Sequence, residues 1–309
     1  LLGERAALPA AVALLREAIA LDARRPSLRF ALAAHLSSLG EHADALAQLR
    51  EGVGLAPGDA AGASALLFEL QYDDALATRE AVADEHVRWA ARDADPLPAV
   101  ARPARARAHR RLRVGYLSPR FALGPLATLF LPVLERHDRA RVEVVLYSAH
   151  PHEGAVHARF RAAADAWREL PRDDEAAATT IAADDVDLLV DLAGHAPGHR
   201  LRVVARRPAP VQATWLDYYA TTGMAAVDYF VSDAIATPAA DAPLFRERLV
   251  LLPSRFAYRP LDPVAPSPPA ALARGHVTFG SFNRHAKLSD ATLAAWGAVL
   301  AAVPGSRLA

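Results

Sequence analysis

The chain has 309 residues, 52% of them hydrophobic, which is enough to bury a sizeable core and favours two domains over one. Its 35 basic and 35 acidic side chains cancel, so the charge balance gives no ground for a nucleic-acid or anionic-membrane partner. It carries no cysteine, no secretory-signal pattern and no apolar run of the ~20 residues that a bilayer span requires, which argues against disulfides, thiolate metal sites and membrane helices and favours a soluble, cytoplasmic protein.

At the start of the chain, an offset of 34 positions pairs Ala11 with Ala45, Leu15 with Leu49, Arg16 with Arg50, Glu17 with Glu51 and Leu21 with Leu55, which is the tetratricopeptide period. Between Pro26 and Pro57, the residues Leu32, Leu36, Ala45, Leu49 and Gly52 fall where two antiparallel helices meet, with Gly40 at the turn. Residues 1–58 are therefore expected to form tetratricopeptide-like repeats. A single repeat cannot bury its own face, so more are expected before Leu1. The missing initiator Met and the stop at Ala309, where Ser306-Arg307-Leu308 begins to read as a strand, make both ends look like cuts in a longer protein.

Residues 59–110 are expected as a helical linker. The helical pattern lasts to Asp93, then Asp95-Pro96-Leu97-Pro98 and the Arg-rich stretch from Ala101 to Arg111 break it, reading as a solvated tether. From Arg111 the period changes. Strands are predicted at Leu112–Leu117, Val142–Tyr147, Val186–Leu192, Val211–Leu216, Tyr229–Ser232 and Leu249–Leu252, and helices at Pro125–Arg136, Ala155–Trp167 and Glu175–Ala183. This alternation predicts an α/β fold with a Rossmann-like parallel sheet over residues 111–265. After the Pro-rich stretch from Pro260 to Pro269, a strand at Val277–Phe282 and a helix from about Asp290 to Val303 mark the start of a second α/β domain at 273–309. Ligands of open parallel sheets sit at the carboxyl ends of strands, which points to the loops after Leu117, Leu192, Leu216 and Phe282.

Those loops hold the most informative segments: RLRVGYLSPRF from Arg111 to Phe121, VDLAGH from Val190 to His195, RRPAPVQATWL from Arg206 to Leu216, and HVTFGSFNRHAKL from His276 to Leu288, followed by WGAVLAAVPGSR from Trp296 to Arg307. With Tyr72, His86 and Trp89 at matching spacing, they resemble the bacterial O-linked N-acetylglucosamine transferases in family order from about Leu15 to Ala309. The resemblance implies helical repeats followed by two Rossmann-like domains of glycosyltransferase-B type, with the active cleft between them. It also implies transfer of N-acetylglucosamine from a uridine-diphosphate donor to Ser or Thr hydroxyls of acceptor proteins, with inversion, without a metal and with no cofactor beyond the UDP-sugar. Acceptor proteins would be presented by the repeats. The 309-residue chain is expected to be inactive by itself.

A leaving diphosphate needs fixed positive charge. Lys287, the one lysine among 34 arginines, lies two residues before Ser289, which reads as the cap of a helix with free N–H groups. The resemblance makes it the donor-phosphate lysine, with Asn283 and Arg284 beside it. Asp191 and His195 follow an apolar strand with Gly194 between them, matching the family's cleft positions, and His195 is a possible proton acceptor. Gln212, Trp215, Thr221, Thr222 and Gly223 match the next motif, the last three as donor-binding candidates. The chain departs from the family at four places near the cleft: Asp217-Tyr218-Tyr219-Ala220 stand for Gly-Tyr-Pro-Gly, Gly124 for a His, Arg120 for an Asp, and Arg284 for an amide residue. These departures open an alternative, a catalytically degenerate module that binds proteins through its repeats. His150, His152 and His157 match no zinc spacing, and dinucleotide, phosphate-loop and serine-hydrolase motifs are missing.

Overall fold

Four helices open the chain, α1 (Leu2–Leu21), α2 (Pro26–Leu39), α3 (His42–Leu55) and α4 (Ala60–Glu69), in a computed structural model that describes residues 2–72, 77–103 and 111–309. Helix α2 ends on Gly40, whose left-handed turn lets the Glu41 amide reach back 3.0 Å to the Leu36 carbonyl. That reversal brings Leu32, Leu36, Ala45 and Leu49 into one buried cluster with Val12. Gly52 and Gly62 both lie against the Phe30 ring, where neither has room for a side chain. The first unit comprises Leu1–Ala77 and Asp262–Ala309, so it also holds α11 (Ala270–Arg274), β8 (Thr278–Phe279), α12 (Asp290–Ala302) and β9 (Arg307–Leu308). Strands β8 and β9 pair in parallel. The predicted strand at Val277–Phe282 is thus only two residues long.

The second unit, Thr78–Leu261, begins with α5 (Arg79–Asp93), capped by the Thr78 hydroxyl on the Ala81 amide. Its sheet has seven strands: β1 (Leu112–Ser118), β2 (Val142–Ser148), β3 (Ala166–Glu169), β4 (Leu188–Asp191), β5 (Val211–Thr214), β6 (Tyr229–Asp233) and β7 (Arg248–Leu252). The order is β3-β2-β1-β4-β5-β6-β7, and every pairing is parallel. Register places Tyr116 between Leu146 and Val190 on one face, where they pack with Phe121, Phe130 and Phe160. Each such side chain contributes about 1.5–3 kcal/mol on burial. Helices α6 (Pro125–Leu129), α7 (Leu131–Leu134), α8 (Ala155–Ala162), α9 (Asp174–Ala183) and α10 (Leu201–Ala205) connect the strands.

Two predicted helices come out shorter. The helix expected over Pro125–Arg136 breaks at Phe130 into α6 and α7, because Pro132 has no N–H for the Thr128 carbonyl, which instead accepts from the Arg259 amide at 3.0 Å. The helix expected over Ala155–Trp167 stops at Ala162. Asp165 then bonds the Val144 amide through its carboxylate and the Val144 carbonyl through its own N–H, which starts edge strand β3. Most of the predicted basic tether, residues 104–110, lies outside the described residues. Among the described residues no helix is long and apolar enough to cross a membrane.

Candidate active site

The chain runs outward from β1 through β2 to β3, then returns to place β4 on the other side of β1. The switch point therefore lies between the carboxyl ends of β1 and β4, the place at which open parallel sheets generally bind ligands. Arg120 and Gly124 are on the loop after β1, and Asp191 is the last residue of β4.

Asp191 is fully buried. One of its oxygens accepts from the Gly194 amide at 2.7 Å and the Thr214 hydroxyl at 3.1 Å, while Oδ1 has no hydrogen-bond partner. Burial pushes its pKa up to about 6, against the pull of these donors, and the nearby Asp217 charge adds to the rise. Gly194 takes a positive φ of 52°, and a Cβ there would fall 2.4 Å from the Tyr218 Cβ. Only glycine therefore permits this turn, which carries His195 back under the sheet end.

His195 is 1% exposed. Its Nε2 donates to the Thr222 carbonyl at 3.1 Å, and its ring meets Trp89 edge-on at 4.5 Å and His86 at 5.0 Å. His199 packs on its other side at 5.7 Å. Burial holds His195 well below its ordinary pKa and lowers His86 and His199 to about 4. The three rings are neutral at neutral pH. His86 donates from Nδ1 to the Val82 carbonyl, so its Nε2 accepts the Tyr218 hydroxyl at 2.6 Å. Helix α5 thus contributes directly to this cluster.

Beyond β5 the backbone enters the left-handed region at Leu216, with φ 78° on a buried non-glycine residue. The guanidinium of Arg255, itself 1% exposed, holds that bend by donating to the carbonyls of Leu216 and Tyr218. It lies 4.6 Å over the Tyr219 ring and 5.3 Å from Phe230. The hydroxyls of Thr221 and Thr222 and the Thr222 amide all donate to the buried carboxylate of Glu247. Gly223 donates to the Thr221 hydroxyl at 2.9 Å and accepts from Arg246 at 2.7 Å. Both threonine hydroxyls, named as donor-binding candidates, are therefore engaged in shaping the loop.

Asn283, Arg284 and Lys287 belong to the first unit, and Asp191 and His195 to the second. Arg284 to Lys287 form a short 3₁₀ turn closed by the Lys287 amide on the Arg284 carbonyl at 2.9 Å, and both Asn283 and Lys287 are exposed. The Ser289 hydroxyl caps α12 on the Thr292 amide at 3.2 Å, as its position suggested. Glu247, Arg255 and His199 carried no sequence signal; each is a charged or polar residue in an ordinary local context. His152 and His157 bond the Pro119 and Phe121 carbonyls, which braces the loop after β1. Among the described residues no group of three His, Cys, Asp or Glu side chains is placed to hold a metal ion.

Residues 68–258 match the family described as Glycosyl transferase family 41. Over 206 residues the chain is 39% identical to the probable UDP-N-acetylglucosamine–peptide N-acetylglucosaminyltransferase SPINDLY of Petunia hybrida, covering 64% of this chain and 22% of that protein. It is 34% identical over 149 residues to the UDP-N-acetylglucosamine–peptide N-acetylglucosaminyltransferase of Caenorhabditis elegans, covering 47% of this chain and 13% of that one. The O-GlcNAc transferase of Thermobaculum terrenum, solved as a lysine-to-methionine mutant, superposes with a TM-score of 0.90 at 38% identity, over 99% of this chain and 59% of that chain. The chain thus spans about a fifth of the length of the plant relative. Its match over the sheet unit and the agreement of its fold together establish that the chain belongs to glycosyltransferase family 41.

Proposed function

We propose that this chain is part of a protein O-N-acetylglucosaminyltransferase, which moves N-acetylglucosamine from UDP-N-acetylglucosamine to Ser or Thr hydroxyls with inversion. The observation that carries this reading is the glycine-hinged turn from Asp191 to His195 at the carboxyl end of β4, beside the switch point of a family 41 sheet. The names of the plant and nematode relatives support the donor and the peptide acceptor. In this reading the exposed Lys287 and the N-terminus of α12 stabilise the leaving diphosphate, so no metal is required. Asp191 and the neutral ring of His195, both buried, hold the loops of the acceptor side from beneath. The N-terminal helices are tetratricopeptide repeats that present acceptor segments, the architecture is glycosyltransferase-B, and the setting is the cytoplasm.

The 309-residue chain is proposed to be inactive by itself, since a diphosphate site needs the rest of a second domain. The test uses UDP-N-acetylglucosamine labelled in the sugar and a mixture of Ser/Thr peptides, with the full-length protein and the 309-residue chain assayed in parallel. Label should pass to peptide with the full-length protein only. A second reading, an inert cleft with protein-binding repeats, draws on the departures at Arg120, Gly124 and Asp217. Absence of transfer by the full-length protein, with peptide binding retained, would favour it.

A further inference from the structure

The turn that carries Lys287 is docked on the N-terminal helices of its own unit. Residues 281–290 are exposed or half-exposed except Ala286, which is 5% exposed. Its carbonyl meets Nε2 of His42 at 2.7 Å. His42 is the first residue of α3, and its Nδ1 meets the carboxylate of Glu69, the last residue of α4, at 2.6 Å. The Ala286 carbonyl can only accept, so Nε2 donates to it while Nδ1 is held by the Glu69 carboxyl group. His42 and Glu69 are 8% and 4% exposed, which makes each missing partner costly. The neighbours repeat the pattern. Nδ1 of His285 meets the Leu39 carbonyl at 3.0 Å, beside Gly40, and Arg284 donates to the Tyr72 hydroxyl at 2.9 Å. The Tyr72 ring is stacked on His42 at 4.7 Å and 10°.

We infer that His42, oriented by Glu69, is a positioning residue for Lys287: it fixes the backbone one residue before the lysine and so joins the last helical repeat to the donor-phosphate site. The inference rests on the proposed role of Lys287. A surface turn held only by its own 3₁₀ bond would sample many orientations, and the ammonium would reach the diphosphate only in some of them. The anchors from α2, α3 and the end of α4 remove that freedom. A protein bound along α2 to α4 therefore acts on the same element that presents Lys287.

Hydrogen exchange of the 309-residue chain, comparing wild type with His42→Ala and Glu69→Gln, tests the docking directly. Amides of Arg284–Leu288 should exchange about tenfold faster in His42→Ala, corresponding to one lost buried hydrogen bond, with less change in Glu69→Gln and none in the core of α2 and α3. Unchanged exchange at Arg284–Leu288 would overturn the inference. So would equal acceleration throughout the helices in both variants, which would mark His42 as a residue of the helical fold alone. In the full-length protein, His42→Ala should weaken the apparent affinity for the UDP-sugar about tenfold and leave the KM for peptide acceptor unchanged. Lys287→Ala is measured beside it. If Lys287→Ala has no effect, the proposed role of the lysine fails while the exchange result stands; if only Lys287→Ala has an effect, the positioning role of His42 fails.

Discussion

Arg120 and Asp217, two of the residues at which this chain departs from the pattern of the enzymes it resembles, form an ion pair at 3.0 Å. One follows β1 and the other follows β5, so the pair spans the end of β4, the strand between them. Asp217 also raises the pKa of Asp191. A change on one loop is thus matched by a change on the other. Unfolding of wild type, Arg120→Ala, Asp217→Ala and the double variant should give a coupling of about 0.2–1 kcal/mol, small because the Arg120 side chain is 43% exposed. A coupling of zero would show the two substitutions to be unrelated.

The buried histidines set how stability responds to acid. His86 and His199 titrate near 4 in the folded protein, and His195 well below 6.5, so between pH 6.5 and 4 the unfolded chain takes up protons that the folded one refuses. Their contribution is present above 6.5 and lost as pH falls. Asp191 opposes them, since its folded pKa of about 6 exceeds the unfolded 3.8 and the fold gains from protonation in that window. Burial lowers His137 in the same direction, so four histidines stand against one carboxyl and the net change is a loss on acidification, at most about 1.4 kcal/mol per pH unit for each unmatched proton. Urea titrations at pH 7, 6 and 5 should show falling stability, steeper in Asp191→Asn and flatter in His86→Gln. Rising stability from pH 6.5 to 5 would contradict this balance.

Arg255 is predicted to hold the loop after β5 in its left-handed bend. Truncation to Ala removes two hydrogen bonds to the carbonyls of Leu216 and Tyr218 and the stacking on Tyr219, and leaves a cavity. Stability should drop by roughly 2–5 kcal/mol, as for other large-to-small changes in a packed interior. Arg255→Met, which fills the space and also removes the two unpartnered guanidinium nitrogens, Nε and Nη1, should recover part of that loss. A midpoint for Arg255→Ala equal to wild type would return the bend to the strand residues alone.

The strands and the turn at Asp191 were legible because apolar β-branched runs and a glycine state their geometry locally. Tyr116, Leu146 and Val190 each sit in a continuous apolar run, as strands of a buried parallel sheet do, and Gly194 stands where nothing larger fits. What was not legible depends on partners far along the chain. Nothing in Glu247 announces that it will receive Thr221 and Thr222, 26 and 25 residues earlier. Trp167 belongs to an edge strand only because Val144 offers Asp165 its backbone groups. His42 and Ala286 are 244 residues apart, so no periodicity could join them.

Lys287 should be sensitive to both charge and shape in the full-length protein. Lys287→Ala is expected to reduce transfer by roughly 10²-fold or more, the loss typical of a donor that stabilises developing negative charge. Lys287→Arg should restore only part of it, since a planar fork does not replace a compact ammonium. Steady-state rates with saturating UDP-sugar check both. Near-wild-type turnover of Lys287→Ala would make the residue an ordinary surface lysine.

Gly124 stands where the resembling enzymes place an imidazole, and its backbone decides what restoring that ring would do. Its φ of 156° and ψ of −170° lie in a region that residues with side chains rarely adopt, although a Cβ there would meet nothing within 4 Å. The obstacle to substitution is therefore conformational and not one of space. Gly124→Ala should cost about 1–3 kcal/mol through backbone strain alone, and Gly124→His should cost about the same. Comparing His with Ala then cancels the strain and isolates the ring. If the missing imidazole limits turnover as a proton acceptor or hydrogen-bond donor, kcat of Gly124→His should exceed that of Gly124→Ala by about 10²-fold or more, with little change in affinity for the UDP-sugar. Thermal unfolding and kcat of the three full-length proteins provide both readings. Equal kcat for the His and Ala variants, at equal stability, would show that an imidazole at this position contributes nothing here and would favour the inert, protein-binding reading of the cleft.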